Sequence, residues 1–213
     1  MKKFFLIVGL VIISLFVFIS CEKQEGNIGK YRGHEYVDLG LSVKWATCNV
    51  GASKPWKYGD YFAWGEVEIK DYYNANYKYY DGGKFTKYSD GVNCMLEPRD
   101  DAATVNWGGS WRMPTVEEQK ELINNCTWIC TTDHDVAGYR VISKVEGYTD
   151  QSIFLPAGGA ILADHNSGSL DGLYWSNENN CFGGAYLMSF NPDTVGIYFT
   201  SPFFGLSVRP VYQ

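Results

Sequence analysis

The chain has 213 residues, with 18 Lys and Arg against 24 Asp and Glu, for a net charge of −6. An acidic chain without a basic cluster argues against nucleic acid as a partner, because that affinity is mostly phosphate neutralisation, and against a polybasic contact with acidic lipid. Aromatics make up 16% and charged residues only 20%, which points to one compact β-rich domain whose loops are stiffened by aromatic packing.

Lys2 and Lys3 precede an apolar run from Phe4 to Ile19, broken only by Gly9 and Ser14, which closes on Phe18-Ile19-Ser20-Cys21. This is the three-part layout of an export signal over residues 1–20. The run is shorter than the roughly 20 residues that span a bilayer, and a cysteine at the cleavage point can accept a diacylglycerol group. Cys21 is therefore the expected lipidation site of a membrane-anchored lipoprotein. One acyl chain holds a protein only weakly, so stable anchoring calls for a multiply acylated cysteine. Without residues 1–20 the balance is 16 against 24, or −8. Glu22 to Lys30 is polar, with Gly26 and Gly29, so residues 21–30 read as the lipidated cysteine and a flexible tether. The expected location is the outer membrane on the cell surface, with the periplasmic face as the alternative.

Residues 31–213 read as a single domain, with no internal repeat. His34 to Asp38 and Val43 to Thr47 look like short strands around a Gly40 turn, and Tyr58 to Val67 like another. Asp71 to Gly91 is rich in Tyr, Asn, Lys and Gly without periodicity, and reads as a long surface loop. Arg99 to Val105 is a candidate short helix with Pro98 at its first turn. A clearer helix begins after Thr115, where Glu118 completes a capping box. Val116, Gln119, Leu122 and Ile123 follow at helical spacing, and Asn124-Asn125 ends it. Short strands are then expected at Tyr139 to Val145, Ser152 to Leu155, Gly172 to Ser176, Ala185 to Phe190, Thr194 to Phe199 and Leu206 to Val211. One or two helices on a meandering, mixed or antiparallel sheet is an α+β layout.

Six cysteines leave five after Cys21, an odd number, so at least one thiol stays free. Cys48 and Cys126 read as small buried apolar residues. Cys126 and Cys130 lie near the helix end, and Cys181 stands alone near the C-terminus. His34, His134 and His165 are scattered, and Gly-x-Ser-x-Gly is absent. Asp133-His134-Asp135 has cation-binding residue types but the composition of a polar turn.

Several segments in order carry a resemblance. They are Gly40-Leu41-Ser42-Val43-Lys44-Trp45-Ala46-Thr47-Cys48-Asn49-Val50-Gly51-Ala52, Gly59-Asp60-Tyr61-Phe62-Ala63-Trp64-Gly65-Glu66 and Trp107-Gly108-Gly109-Ser110-Trp111-Arg112-Met113-Pro114-Thr115. Ser152-Ile153-Phe154-Leu155-Pro156-Ala157, Tyr174-Trp175-Ser176 and Gly205-Leu206-Ser207-Val208-Arg209-Pro210-Val211 complete them. The chain resembles the Fibrobacter succinogenes major paralogous domain family, common in lipoproteins of Bacteroidetes and similar to C-type-lectin-like domains. The resemblance implies paired N- and C-terminal strands, two helices, and a lower and an upper sheet carrying long loops. It also implies that Tyr174 to Val211 is similar to the variable region of retroelement-diversified proteins. There, invariant residues such as Tyr-Trp-Ser and Ser-Val-Arg-Pro-Val bracket variable positions. Adenine-directed diversification of Asn-type codons does not reach Lys, Glu, Gln, Met or Trp, and Ser189 to Tyr212 contains none of the five. Glu178 and Met188 would then be fixed residues. Ser201-Pro202-Phe203-Phe204 departs from the family, which usually has Arg shortly before the terminal motif.

Calcium lectins of related fold use Glu-Pro-Asn or Gln-Pro-Asp triplets. Glu97-Pro98-Arg99 puts a cation where a hard metal wants oxygen, and Trp175-Ser176-Asn177 lies too far downstream. No metal and no cofactor is expected. Formylglycine-generating enzymes need a reactive cysteine pair near the C-terminus, so an enzyme ranks last and no catalytic residue is expected. The leading expectation is a non-catalytic, adhesin-like module for a protein or glycan ligand at a cell, phage or host surface, and the alternative is a structural subunit or tip of a surface assembly. The candidate contact residues are Asn179, Asn180, Phe182, Tyr186, Asn191, Asp193, Ile197, Tyr198, Phe199, Ser201, Phe203 and Phe204. Alternation puts Ile197 and Phe199 on one strand face and Tyr198 on the other, so one set should face the core. A buried cluster from Phe199 to Phe204 would argue against an outward binding face.

Overall fold

The computed structural model describes residues 27–74, 76–166 and 170–213. Residues 1–20, expected to be an export signal, and Cys21, the expected lipidation site, lie outside the described residues. Among these, no helix is long and apolar enough to cross a membrane.

Over the described residues the chain is α+β, mostly sheet with two helices. In order it forms β1 (Ile28–Tyr31), β2 (His34–Val37), β3 (Lys44–Ala46), β4 (Tyr61–Phe62), a small hairpin of β5 (Tyr80–Asp81) and β6 (Lys84–Phe85), α1 (Ala102–Trp107) and α2 (Val116–Asn125). There follow β7 (Cys126–Asp133), β8 (Val136–Ser143), β9 (Ser152–Pro156), a second small hairpin of β10 (Ile161–Leu162) and β11 (His165–Asn166), β12 (Gly172–Asn179), β13 (Ala185–Phe190), β14 (Val195–Thr200), β15 (Leu206–Ser207) and β16 (Val211–Tyr212). The main sheets run β1-β2-β3-β16, β14-β13-β12-β15-β4 and β7-β8-β9.

The first strand begins at Ile28, inside the stretch read as a tether, and pairs with β2 through Ile28↔Val37. The terminal strands share a sheet with two strands between them, and the Tyr31 and Tyr212 rings stack at 4.9 Å. The five-stranded sheet lies between two cores, with β12 packed into both. Alternation along β12 sends Trp175 into a core with Trp64, Trp111 and Leu206, and Tyr174 into a second with Trp45, Leu122 and Phe190. The buried indoles are satisfied where they cross elements: Trp64 Nε1 donates to the Ser176 carbonyl at 2.8 Å and Trp175 Nε1 to that of Phe62 at 2.7 Å.

Both reciprocal bonds of the capping box between Thr115 and Glu118 are present. Arg112 grips the same Glu118 with two nitrogens. Val116, Gln119 and Leu122 form the buried helix face. The shorter helix starts later than its composition indicates. Pro98–Asp100 forms a single 3-10 turn, and Asp101 then caps α1 by accepting from Thr104 N at 2.9 Å, a cap worth about 1 kcal/mol.

Four strand and loop readings needed correction. α2 passes into β7 without a loop, so Cys126–Asp133 is a strand where only a helix end was expected. Its Thr, Ile and Trp residues suit a pleated surface. Tyr58 to Val67 contributes only the two residues of β4, and Leu206 to Val211 splits into β15 and the start of β16 in two different sheets. The Asp71 to Gly91 stretch is more than surface loop: Tyr73, Tyr77 and Tyr88 are buried within it.

Candidate binding face

Strand β14 is the free edge of the five-stranded sheet, paired to β13 without interruption from Ala185↔Thr200 to Phe190↔Val195. This position resolves the two-faced alternation of its side chains. Val195 and Ile197 pack against the second core, whereas Tyr198 is 49% and Phe199 62% exposed. Neither alternating set is fully core, because the sheet ends at this strand. Phe182, on the β12–β13 connection, is 80% exposed.

Two grooves flank these rings and share Phe199 and Thr200. One, of about 500 Å³, lies between Phe182, Phe199 and Phe203 and the rings of Tyr80 and Phe85 from the long loop. The other, of about 520 Å³, lies over Leu173, Leu187, Ser189 and Tyr198, with Phe204 and Asn191 at its rim. Phe203 and Phe204 are half-buried. Phe203 stacks on Phe85 at 5.8 Å and meets Tyr80 edge-on at 5.1 Å.

The remaining candidates divide clearly. Asn180 and Ser201 line the first groove. Asn179, Tyr186, Asp193 and Ile197 line neither. Asn179 is buried and fully engaged: its Nδ2 donates to the Tyr88 carbonyl at 2.6 Å and its Oδ1 accepts from Cys181 N at 2.8 Å. It braces the hairpin tip and is not available to a ligand. The Asn180 Oδ1 accepts from Phe182 N and Gly184 N, and the Asn191 Oδ1 from Asp193 N and Thr194 N, so both oxygens are spent on turns. Tyr186 is half-buried and sits edge-on to Phe199 at 6.2 Å.

Cys181 does not stand alone. It is bonded to Cys94 with a Cα–Cα distance of 4.8 Å, while Cys48, Cys126 and Cys130 are free. The bond closes a sequence separation of 87 residues, and a native crosslink of this kind contributes about 2–4 kcal/mol. It ties the loop before Leu96 to the hairpin that carries Phe182. Gly183 makes that approach possible: its φ is +101°, and a Cβ there would run into the Phe85 ring.

Tyr80, Phe85, Leu187 and Ser189 belong to the face but were not singled out from sequence. For the β13 pair the signal was available, since Leu187 and Ser189 alternate on one face. Tyr80 and Phe85 reach the face only through the loop's tertiary packing. Asp133-His134-Asp135 forms the β7–β8 turn, with His134 and Asp135 at φ +48° and +63°. His134 Nδ1 lies 2.7 Å from Asp133 Oδ1, and its ring stacks on Trp56 at 3.6 Å.

Comparison of the chain with family models, with curated proteins and with solved structures finds no match.

Proposed function

We propose that the chain is a membrane-tethered, non-catalytic binding module of C-type-lectin-like architecture, and that the aromatic face around Phe182, Tyr198 and Phe199 contacts a protein or glycan ligand. The observation that carries this reading is the exposure of those three large rings beside two open grooves. A sizeable apolar patch exposed to water is costly to keep and marks contact surface. Aromatic rings also supply contact area at little entropic cost.

The topology supports an outward orientation. β15, on the far side of the central sheet, runs through residues 208–210 into the sheet that holds β1 and the start of the described chain, and β14 is the opposite edge. Lipidation at Cys21 would thus tether the protein from the side of the terminal sheet. The pattern expected of diversification has a physical counterpart. Tyr174, Trp175 and Ser176 are buried, as are Ser207 to Val211, while the exposed rings lie between these two blocks. Met188 is buried, and Glu178 accepts from Val116 N at the start of α2, so both unreachable residue types have structural work. A near-repeat of the codons for Tyr174 to Val211, mismatched at adenines and beside a reverse transcriptase, is the expected genomic sign; its absence removes diversification and leaves the binding role.

The binding role is tested with the full chain displayed on cells against a glycan array and a peptide-display library. The wild type is expected to retain members of one class. Phe182→Ser/Phe199→Ser should stay in the membrane fraction and lose about a hundredfold to a thousandfold in affinity, since aromatic anchors buried in an interface carry about 2 kcal/mol or more each and are not fully additive. Cys21→Ser should leave the membrane fraction and keep the affinity. Equal binding by the double variant would overturn the assignment of the face.

A further inference from the structure

Strand β7 lies outside this face and has no part in the proposed binding role. It pairs with β8 along its whole length, from Cys126↔Ser143 to Asp133↔Val136, without a bulge. Its other side is open: among the described residues no strand pairs there, and no group hydrogen-bonds to its outward N–H and C=O groups. Such an edge is a template for another strand, and proteins usually blunt it with Lys, Pro, a bulge or a covering element. None of these is present on β7. Cys126 to Thr132 contains no charge, Gly or Pro. The strand is exposed on both faces, through Thr127 and Ile129 on one and Cys130 and Thr132 on the other. The other edges are guarded or already assigned: β1 is short and carries Lys30, β4 has two residues, β9 is buried and ends at Pro156, and β14 belongs to the aromatic face.

We infer that β7 pairs antiparallel with β7 of a second copy of this chain, about a twofold axis at Cys130, which joins two three-stranded sheets into one.

Charge selects the occupant. The uncharged stretch meets no like charge on its own copy. Asp133, the one charge in the strand, falls opposite the partner's Thr127; parallel in-register pairing would instead set it against the partner's Asp133 and oppose two carboxylates. In the same register Ile129 faces the partner's Thr131, a β-branched pair on the exposed face. Cys130, a free thiol, faces the partner's Cys130, with Cα atoms at the roughly 4.5–5.5 Å of an antiparallel pair. A ladder over 127–133 is about 24 Å long. Main-chain pairing of that length sits at the small end of specific interfaces, so the reduced dimer is weak and depends on concentration. A small-molecule disulfide can close it covalently. One Cys130 thiolate attacks oxidised glutathione and releases one glutathione thiol. The partner's Cys130 thiolate then attacks the mixed disulfide, forms the Cys130–Cys130 bond and releases the second.

The test uses the full chain in detergent micelles. Sedimentation at rising concentration should show mass moving from one copy to two, with amide exchange slowing in β7. Addition of oxidised glutathione should give a dimer linked through Cys130. Cys130→Ser should keep the concentration-dependent dimer and lose only the covalent link. Ile129→Lys/Thr131→Lys sets lysines opposite one another across the axis; it should remain single with an unchanged melting temperature and give only glutathionylated monomer on oxidation. Phe182→Ser/Phe199→Ser should dimerise like the wild type, which separates this interface from the binding face. A wild type that stays single at every concentration overturns the inference. So does a double-lysine variant that dimerises normally, or protection that appears in β14 and not in β7.

Discussion

Asp100→Asn is expected to cost about 3–5 kcal/mol of folding stability, the usual penalty for breaking a buried ionic network by removing one partner. Asp100 is fully buried and accepts four hydrogen bonds. Lys78 Nζ and Tyr79 OH reach its Oδ1 at 2.8 and 2.5 Å, and Lys87 Nζ and Tyr88 OH reach its Oδ2, both at 2.7 Å. One carboxylate thus holds both ends of the Lys78 to Tyr88 segment. Asparagine would offer one oxygen and turn an N–H₂ toward the other two donors. Because Tyr80 and Phe85 lie within that segment and line the first groove, ligand affinity should fall along with stability.

The same network sets an acid dependence. Burial alone would raise the Asp100 carboxyl, but the bonds from Lys78, Lys87, Tyr79 and Tyr88 outweigh it and hold the group below the usual carboxylate range. A depressed folded value contributes stability that is complete above the unfolded value of about 4 and is lost as pH falls through the folded one. Urea melts of wild type and Asp100→Asn should therefore differ most near neutrality and converge as pH drops below about 4. A variant within about 1 kcal/mol of wild type at neutral pH would mean that the lysines and tyrosines find other partners at no cost.

How much of this was legible depends on how local the cause is. The α2 start could be read because Thr115 and Glu118 satisfy each other three residues apart. The β12–β14 strands could be read from alternation between turn residues. β7 could not, since Asn124-Asn125 signals a stop and nothing local says that the next residue is already extended. The Cys94–Cys181 bond could not be read either, because an odd cysteine count fixes no pairing. The aromatics of the candidate face were visible as residues, but their direction was not. Alternation forced Tyr198 and Phe199 apart, and only the edge position of β14 explains why both reach water. The anchoring of Tyr79 and Tyr88 on Asp100 is a contact between a segment without periodicity and a short helical turn, which no sequence pattern encodes.

Arg209→Met should be comparably damaging, at about 3–5 kcal/mol from the buried acceptors it leaves without their donors, and should act on the framework without touching the face. The guanidinium is buried, and burial pushes its proton affinity down, yet arginine stays charged inside proteins. Its hydrogen-bond partners are neutral. Nε donates to Asn49 Oδ1 at 2.8 Å, Nη1 to the carbonyls of Ala46 and Thr47, both at 3.1 Å, and Nη2 to that of Phe154 at 3.0 Å. These acceptors belong to β3 and the residue after it, to the Asn49 turn and to β9, so one side chain crosslinks the terminal sheet to the three-stranded sheet. Methionine fills the space but leaves buried acceptors unpaired, at about 1–3 kcal/mol each before relaxation. Lysine keeps the charge but has one compact ammonium in place of a planar fork, so Arg209→Lys should recover only part of the loss. Thermal melts should rank wild type above Arg209→Lys above Arg209→Met. Ligand affinity measured well below the melting temperature should be the same for all three, in contrast to Asp100→Asn, where affinity and stability fall together. If Arg209→Met melts like the wild type, the four neutral acceptors are being met by water and the crosslink is only apparent; if it weakens the ligand at low temperature, the framework and the face are coupled through the central sheet.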